Sequence, residues 1–347
     1  MNKAILIAII TILALALLWA IFNFSNIKNN RPELADEVNE ENSNIFEDIS
    51  DFLVAESLAP FRQLVSRPTI APTFNKDLDS LLFFESASGR VYQIPTDSGR
   101  EKLFSEIEIP EIERVTWSPN GDKSIIETNT RNFYYNYLDG QVVQIDNIKN
   151  PVFSPDGSRI TWACDSGICE ADPDGGNKKT ILNENLKQLN MIWEGPDVYF
   201  YSRPSSKSSS PVFKVSPKTK NLNRVLASTP GLLFQTKNGQ NLYSIRDDLY
   251  LDGTNLNLKT FASKCAFLEK VIYCAVPRDI PSELTLPDDY FKGKLKSPDT
   301  IYRIEKDGDE IKKSVLQRTS LQIKTIIPGS DILYLHDHDG SLHALEL

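Results

Sequence analysis

The chain lacks a G-x-S-x-G elbow, an H-E-x-x-H pair, a P-loop and a G-x-G-x-x-G fingerprint. The usual local signatures of a serine hydrolase, a zinc peptidase, a nucleoside triphosphatase and a dinucleotide enzyme are therefore missing. Positive charge is not in excess. With 38 Lys and Arg against 47 Asp and Glu the formal charge is −9, whereas a phosphate-binding surface needs clustered Lys and Arg, so no nucleic-acid partner is expected. Histidine is scarce too: the three residues, His336, His338 and His343, all lie in "LHDHDGSLHALEL" beside Asp337 and Asp339. Asp339-Gly340 marks a turn there, so the segment reads as an exposed polar hairpin and no metal ligands are assigned.

What the chain does have is 347 residues at 40% hydrophobic content, enough to bury a large core, and many Tyr, Phe, Ile and Thr suited to strands. Its N-terminus carries one long apolar run. Ala4 to Phe22 is uncharged, about 28 Å of helix at ~1.5 Å per residue, which matches a bilayer core. Trp19, Phe22 and Phe24 stand where a cleavable signal peptide would place small residues. Residues 1–26 are therefore expected to be an uncleaved transmembrane anchor. Lys3 on one side and Lys28 and Arg31 on the other leave its orientation undecided. Residues 27–60, rich in Glu, Asp and Asn, read as an acidic tether in which Ile45 to Leu58 has the pattern of a short amphipathic helix.

From residue 61 onward the pattern repeats. Apolar or aromatic anchors precede turns at Phe74, Trp117, Phe153, Trp193, Phe234, Phe267 and Ile327. The first six are spaced by roughly 33 to 43 residues, the period of a four-stranded propeller blade. "SPNGDK" at Ser118 and "SPDGSR" at Ser154 are tight hairpin turns. "LDGQ" at Leu138, "DPDGGN" at Asp172, "LDGT" at Leu251 and "KDGD" at Lys306 each precede an outer strand. "DPDGGN" also has the oxygen-rich start of a calcium loop, but it runs into Lys178 and Lys179 without a closing Glu, so a repeat turn is the better reading. The last copy supplies only three strands. "FRQLVSRPTI", Phe61 to Ile70, is expected to provide its outer strand and close the ring. The fold class is thus all-β, a seven-bladed propeller over 61–347, with six blades as the alternative.

The four cysteines fall into two local pairs. Cys164 and Cys169 flank "DSGI", where a Ser166-Gly167 turn would set them face to face, and Cys265 and Cys274 flank a second tight connection. Two disulfides would place the body in an oxidising compartment, outside the cytoplasmic membrane. The competing reading is four buried free thiols in a cytoplasm-facing domain. The C-x-x-x-x-C spacing is too long for a usual zinc knuckle.

The segments "FSPDGSRITW" and "DPDGGNKKTIL" resemble the repeat of TolB-type, WD-repeat-like propellers, well over one blade, fairly at "WSPNGDKSII" and only in pattern elsewhere. The layout also resembles uncharacterised membrane-anchored propeller proteins of small-genome bacteria. That resemblance implies a fold and brings no activity.

One departure from the period stands out. An insertion at 276–300, "VPRDIPSELTLPDDYFKGKLKSPDT", interrupts the sixth blade, and long excursions from compact folds are often functional. Asp288, Asp289, Tyr290, Phe291 and Lys292 are its candidate partner-binding residues, against the alternative that the aromatics pin the loop to the body. No catalytic residue and no cofactor is assigned. The reading favours a membrane-anchored extracytoplasmic scaffold that binds a protein or another cell-envelope component. The alternative is an envelope hydrolase or lyase working in the propeller channel, with or without calcium, whose sign would be Asp, Glu or His converging at one channel mouth.

Overall fold

The computed structural model describes residues 61–347, apart from residues 76, 98, 185 and 187. The expected membrane anchor and acidic tether lie outside the described residues. Among the described residues no helix is long and apolar enough to cross a membrane.

Twenty-eight strands among the described residues form seven four-stranded antiparallel sheets. Blade 1 is β2 (Thr69–Phe74), β3 (Ser80–Glu85), β4 (Val91–Pro95) and β5 (Lys102–Ser105). Blade 2 is β6 (Ile112–Trp117), β7 (Lys123–Thr128), β8 (Asn132–Asn136) and β9 (Gln141–Ile145). Blade 3 is β10 (Val152–Phe153), β11 (Ile160–Cys164), β12 (Gly167–Ala171) and β13 (Lys179–Leu182). Blade 4 is β14 (Leu189–Glu194), β15 (Asp197–Ser202), β16 (Ser209–Val215) and β17 (Leu222–Pro230). Blade 5 is β18 (Leu232–Lys237), β19 (Gln240–Ile245), β20 (Asp248–Leu251) and β21 (Thr254–Lys259). Blade 6 is β22 (Cys265–Leu268), β23 (Val271–Pro277), β24 (Asp299–Asp307) and β25 (Glu310–Arg318). Blade 7 is β26 (Ile323–Pro328), β27 (Ile332–Asp337) and β28 (Leu342–Glu346), completed by β1 (Phe61–Val65). The chain is a seven-bladed β-propeller.

All seven anchor residues lie on the first strand of their blade, and neighbouring first strands contact one another around the axis from blade 6 through blades 7, 1, 2, 3 and 4 to blade 5. Phe61 pairs with Leu345 and Val65 with Leu342, so β1 is the outer strand that closes the ring. It ends at Val65, and Thr69 and Ile70 already belong to blade 1. The core lies between blades. Ile125 of blade 2, Trp162 and Ile168 of blade 3 and Phe200 of blade 4 share one buried cluster. Trp117 joins blades 1 and 2 by packing on Phe84 and donating its Nε1–H to Ala71 O at 2.7 Å.

The repeat turns explain themselves chemically. Ser154 Oγ accepts from Arg159 N at 2.9 Å, Gly157 N donates to Ser154 O at 2.8 Å, and Gly157 takes φ +68°. The same bonds recur from Lys123 N to Ser118 Oγ and from Gly121 N to Ser118 O. In "DPDGGN", Asp172 pairs with Arg159, while Asp174 accepts from Gly176 N at 2.9 Å. These carboxylates are engaged in the turn itself.

Both disulfides are formed and no described cysteine is free. The first hairpin differs from expectation: Cys164 pairs with Gly167, so Asp165 and Ser166 make the turn and Cys169 stands opposite Trp162. The Cys164–Cys169 bridge therefore runs diagonally, with Cα atoms 5.8 Å apart. The reason is Gly167, which at φ +131° lies so close to β13 that an added Cβ would sit 2.1 Å from Leu182 O. The face-to-face geometry occurs instead at Cys265 and Cys274, which are direct partners with Cα atoms 4.1 Å apart.

The histidine hairpin is likewise corrected. Most of it is not exposed: His336, Asp337, Ser341 and His343 are buried, and only His338 and Asp339 at the turn face solvent as expected. Its turn docks on the chain entering blade 1, where Thr69 N and Oγ1 both donate to Gly340 O at 2.8 Å. His336 Nε2 lies 3.1 Å from Thr69 O, and His343 Nε2 lies 2.9 Å from Ser341 Oγ. A carbonyl only accepts, so the neutral His336 ring must carry its proton on Nε2.

Candidate functional site

Strand direction gives the ring two rims. The first-to-second and third-to-fourth turns lie on the lower rim; the second-to-third turns and the connections between blades lie on the upper rim. The insertion joins β23 to β24 and so rises from the upper rim of blade 6, with 278–298 outside the strands. Its neck is fixed by Arg278 N donating to Pro298 O at 3.0 Å and Asp279 N donating to Ser297 Oγ at 3.0 Å. A single helical turn, α1 (Asp288–Phe291), lies near its middle.

The five candidate residues separate into two groups. Asp288 accepts from Ser206 N at 2.8 Å and from the Ser206 hydroxyl, which ties the insertion to blade 4 and holds the carboxyl below its usual range. Asp289 accepts from Lys294 at 2.8 Å and from Thr285 N at 2.9 Å; the Lys294 bond is the larger cause of its lowered pKa. Tyr290 is buried. Its ring stacks on Phe261 at 4.0 Å and meets His338 edge-on at 6.1 Å, while burial pushes its hydroxyl up to about 12. Phe291 is 46% exposed, and Lys292 is exposed with its ammonium 3.9 Å from Asp289. Asp288, Asp289 and Tyr290 thus hold the insertion in place, and Phe291 and Lys292 face solvent.

Beneath the insertion is a feature that sequence reasoning missed. Lys264 Nζ lies 2.7 Å from Asp299 Oδ1, and Asp299 Oδ2 accepts from Ile323 N at 2.6 Å. Lys264 sits between blades 5 and 6, Asp299 begins β24, and Ile323 begins β26, so three segments meet on one carboxylate. Nothing local in "ASKC" or "SPDT" signals this pairing across 35 residues.

Between the insertion and blades 4 and 5 lies a cleft of about 370 Å³. Ser206 and Arg246 approach from the blades, and Ile280, Ser282, Leu284 and Thr285 from the insertion. A second cavity, of about 330 Å³, lies at the inner strands of blades 2 to 5 and is lined by Arg114, Asn150, Asn190 and Gln235 among others. No Asp, Glu or His contributes to that lining, and among the described residues no three His, Cys, Asp or Glu stand together in a way that would hold a metal ion.

No protein-family model matches the chain, and no curated protein matches it. Solved structures do. One is an oligogalacturonate lyase in complex with manganese, with TM-score 0.60 and 13% identity over 84% of this chain and 94% of that one. A second is the Cps50 (Swd1) propeller domain of Myceliophteria thermophila, with TM-score 0.53 and 10% identity over 83% and 100%. A third is the propeller domain of the Trilobed protease of Pyrococcus furiosus, described as having an open velcro topology, with TM-score 0.52 and 9% identity over 77% and 90%. The likeness is one of fold. In this chain β1 closes the last blade.

Proposed function

We propose that the chain is a membrane-anchored, TolB-like propeller standing outside the cytoplasm, where its upper rim binds a protein or another cell-envelope component. The observation that carries the location is the pairing of all four cysteines, since structural disulfides persist in oxidising compartments and are rare in the cytoplasm. The apolar run Ala4 to Phe22 supplies the anchor, and the acidic tether would keep the ring near the membrane and raise its effective concentration toward envelope partners.

What supports binding rather than catalysis is the arrangement of the upper rim. A rigid ring presents an insertion that is held down by buried contacts and offers Phe291, Lys292 and an open cleft to solvent. The alternative, a hydrolase or lyase in the channel with or without calcium, would require carboxylates or histidines converging at one channel mouth, whereas the cavity at the inner strands of blades 2 to 5 is lined by Arg114, Asn150, Asn190 and Gln235.

Two measurements test the reading. Mass spectrometry of membrane-isolated protein under thiol-blocking conditions should find Cys164 joined to Cys169 and Cys265 to Cys274. Four alkylated thiols would remove the outside location. A photo-reactive amino acid placed at Phe291 should cross-link an envelope component in cells, whereas one at Gly308 on the lower rim should not. Equal yields at both positions would overturn the upper rim as the binding face.

A further inference from the structure

The cleft between the insertion and blades 4 and 5 has a built polar end. Arg246 and Asp247 form the two-residue turn between β19 and β20, since Ile245 pairs directly with Asp248. Arg246 is exposed, and its guanidinium makes no hydrogen bond or ion pair with any described residue. The Ser282 and Thr285 hydroxyls, on the facing wall, also have no partner among the described residues, whereas the Ser206 hydroxyl is already engaged by Asp288. Three free donors therefore border one cavity. A guanidinium with hydroxyl support suits a planar carboxylate, which it can bind through two parallel hydrogen bonds.

The rest of the lining sets what the carboxylate is attached to. Ile280, Leu284 and Leu286 give the cleft an apolar wall. Asp247, 3.7 Å from Lys259, also lines the cleft on the blade side, and its negative charge opposes a doubly charged group such as phosphate about twice as strongly as a singly charged carboxylate. At about 370 Å³ the cleft is at the small end of ligand sites, suited to the end of a chain. Capture of a terminal carboxylate is one of the recurring modes of peptide recognition.

We propose that this cleft binds the C-terminal carboxylate of a partner protein whose last residue is apolar, with Arg246, Ser282 and Thr285 on the carboxylate and Ile280, Leu284 and Leu286 around the side chain. The inference rests on the reading of the propeller as a partner-binding module and names the chemistry of the partner.

The test uses the full chain in detergent and fluorescein-labelled hexapeptides ending in Leu, Val or Phe, followed by anisotropy. Each peptide is offered as the free acid and as the C-terminal amide, beside an amidated peptide with an internal Glu. Free acids should bind about tenfold or more tightly than amides, Arg246→Gln should lose about tenfold, and Arg246→Lys should retain part. Thr285→Val should weaken the free acids with unchanged melting. Inorganic phosphate should not displace them. Equal binding of acid and amide, tighter binding of the internal-Glu peptide, displacement by phosphate, or no binding of any free acid overturns the inference. If the Phe291 cross-link forms while the peptides fail, the partner-binding reading stands and the carboxylate assignment falls.

Discussion

Lys264 and Asp299 form an ion pair 2.7 Å long in which neither side chain is more than 3% exposed. Burial pulls each toward its neutral form, Lys264 down and Asp299 up, and their mutual attraction opposes that. Removing one partner strands the other. Lys264→Met should lower unfolding free energy by about 3–5 kcal/mol, because it leaves the Asp299 carboxyl buried beside only the Ile323 amide. The double variant Lys264→Met/Asp299→Asn should recover part of the loss, because an amide needs no counter-charge. Urea unfolding followed by fluorescence measures both; a single variant within about 1 kcal/mol of the parent would show the pair to be energetically idle.

His336 should make the ring acid-sensitive. Burial is the main reason its pKa falls from 6.5 to about 4, with nearby Lys324 adding to the effect. The folded pKa is depressed, so between pH 6.5 and about 4 the unfolded chain binds a proton that the folded chain refuses. Stability should be full above pH 6.5 and fall as pH drops toward 4, by up to about 3 kcal/mol at ~1.4 kcal/mol per pH unit. His336→Gln, which can still donate to Thr69 O, should flatten that slope. Urea midpoints from pH 7.5 to 4 decide it, and identical slopes for parent and variant would rule His336 out.

The architecture was legible in the sequence because its information is local. A Ser-Pro-Asp-Gly turn needs only Ser154, Asp156 and Gly157, and a closing strand is implied wherever the last repeat is one strand short. The upper rim was not legible for the opposite reason. Ser206 meets Asp288 across 82 residues and Lys264 meets Asp299 across 35, and neither pair has a spacing that a repeat or motif would reveal. The histidine hairpin was misjudged because Asp-Gly marks a turn without saying what packs against it. Only closure of the ring brings Thr69 and Pro68 onto Gly340.

Gly167 ties backbone conformation to disulfide formation. A Cβ there would stand 2.1 Å from Leu182 O, at a φ that other residues rarely adopt. Gly167→Ala should therefore displace β13, lower the yield of the Cys164–Cys169 bridge and leave Cys265–Cys274 intact. Closing such short loops contributes about 2–3 kcal/mol each in the chain-entropy model, so loss of the first bridge alone should remain tolerable. Peptide mapping without reduction reads both bridges separately. Normal bridging at both sites would show that β13 can give way.

Closure by β1 yields the sharpest contrast within one strand. Val65 is 3% exposed and packs with Phe74, Phe83 and Tyr334, whereas Gln63, two residues earlier, is exposed although it pairs with His343. Val65→Asp would bury a charge among aromatic rings, so β1 should detach and leave the backbone edge of β28 open to other chains. The expected result is concentration-dependent oligomers by light scattering, together with a lowered melting temperature. Gln63→Ala should remain monomeric and within about 0.5 kcal/mol of the parent, because the bulge between Gln63 and Val65 turns Gln63 to the other side of the strand, where its side chain is exposed. If Val65→Asp stays monomeric with an unchanged melt, the ring is held by the contacts between inner strands and β1 only covers an edge that is already stable.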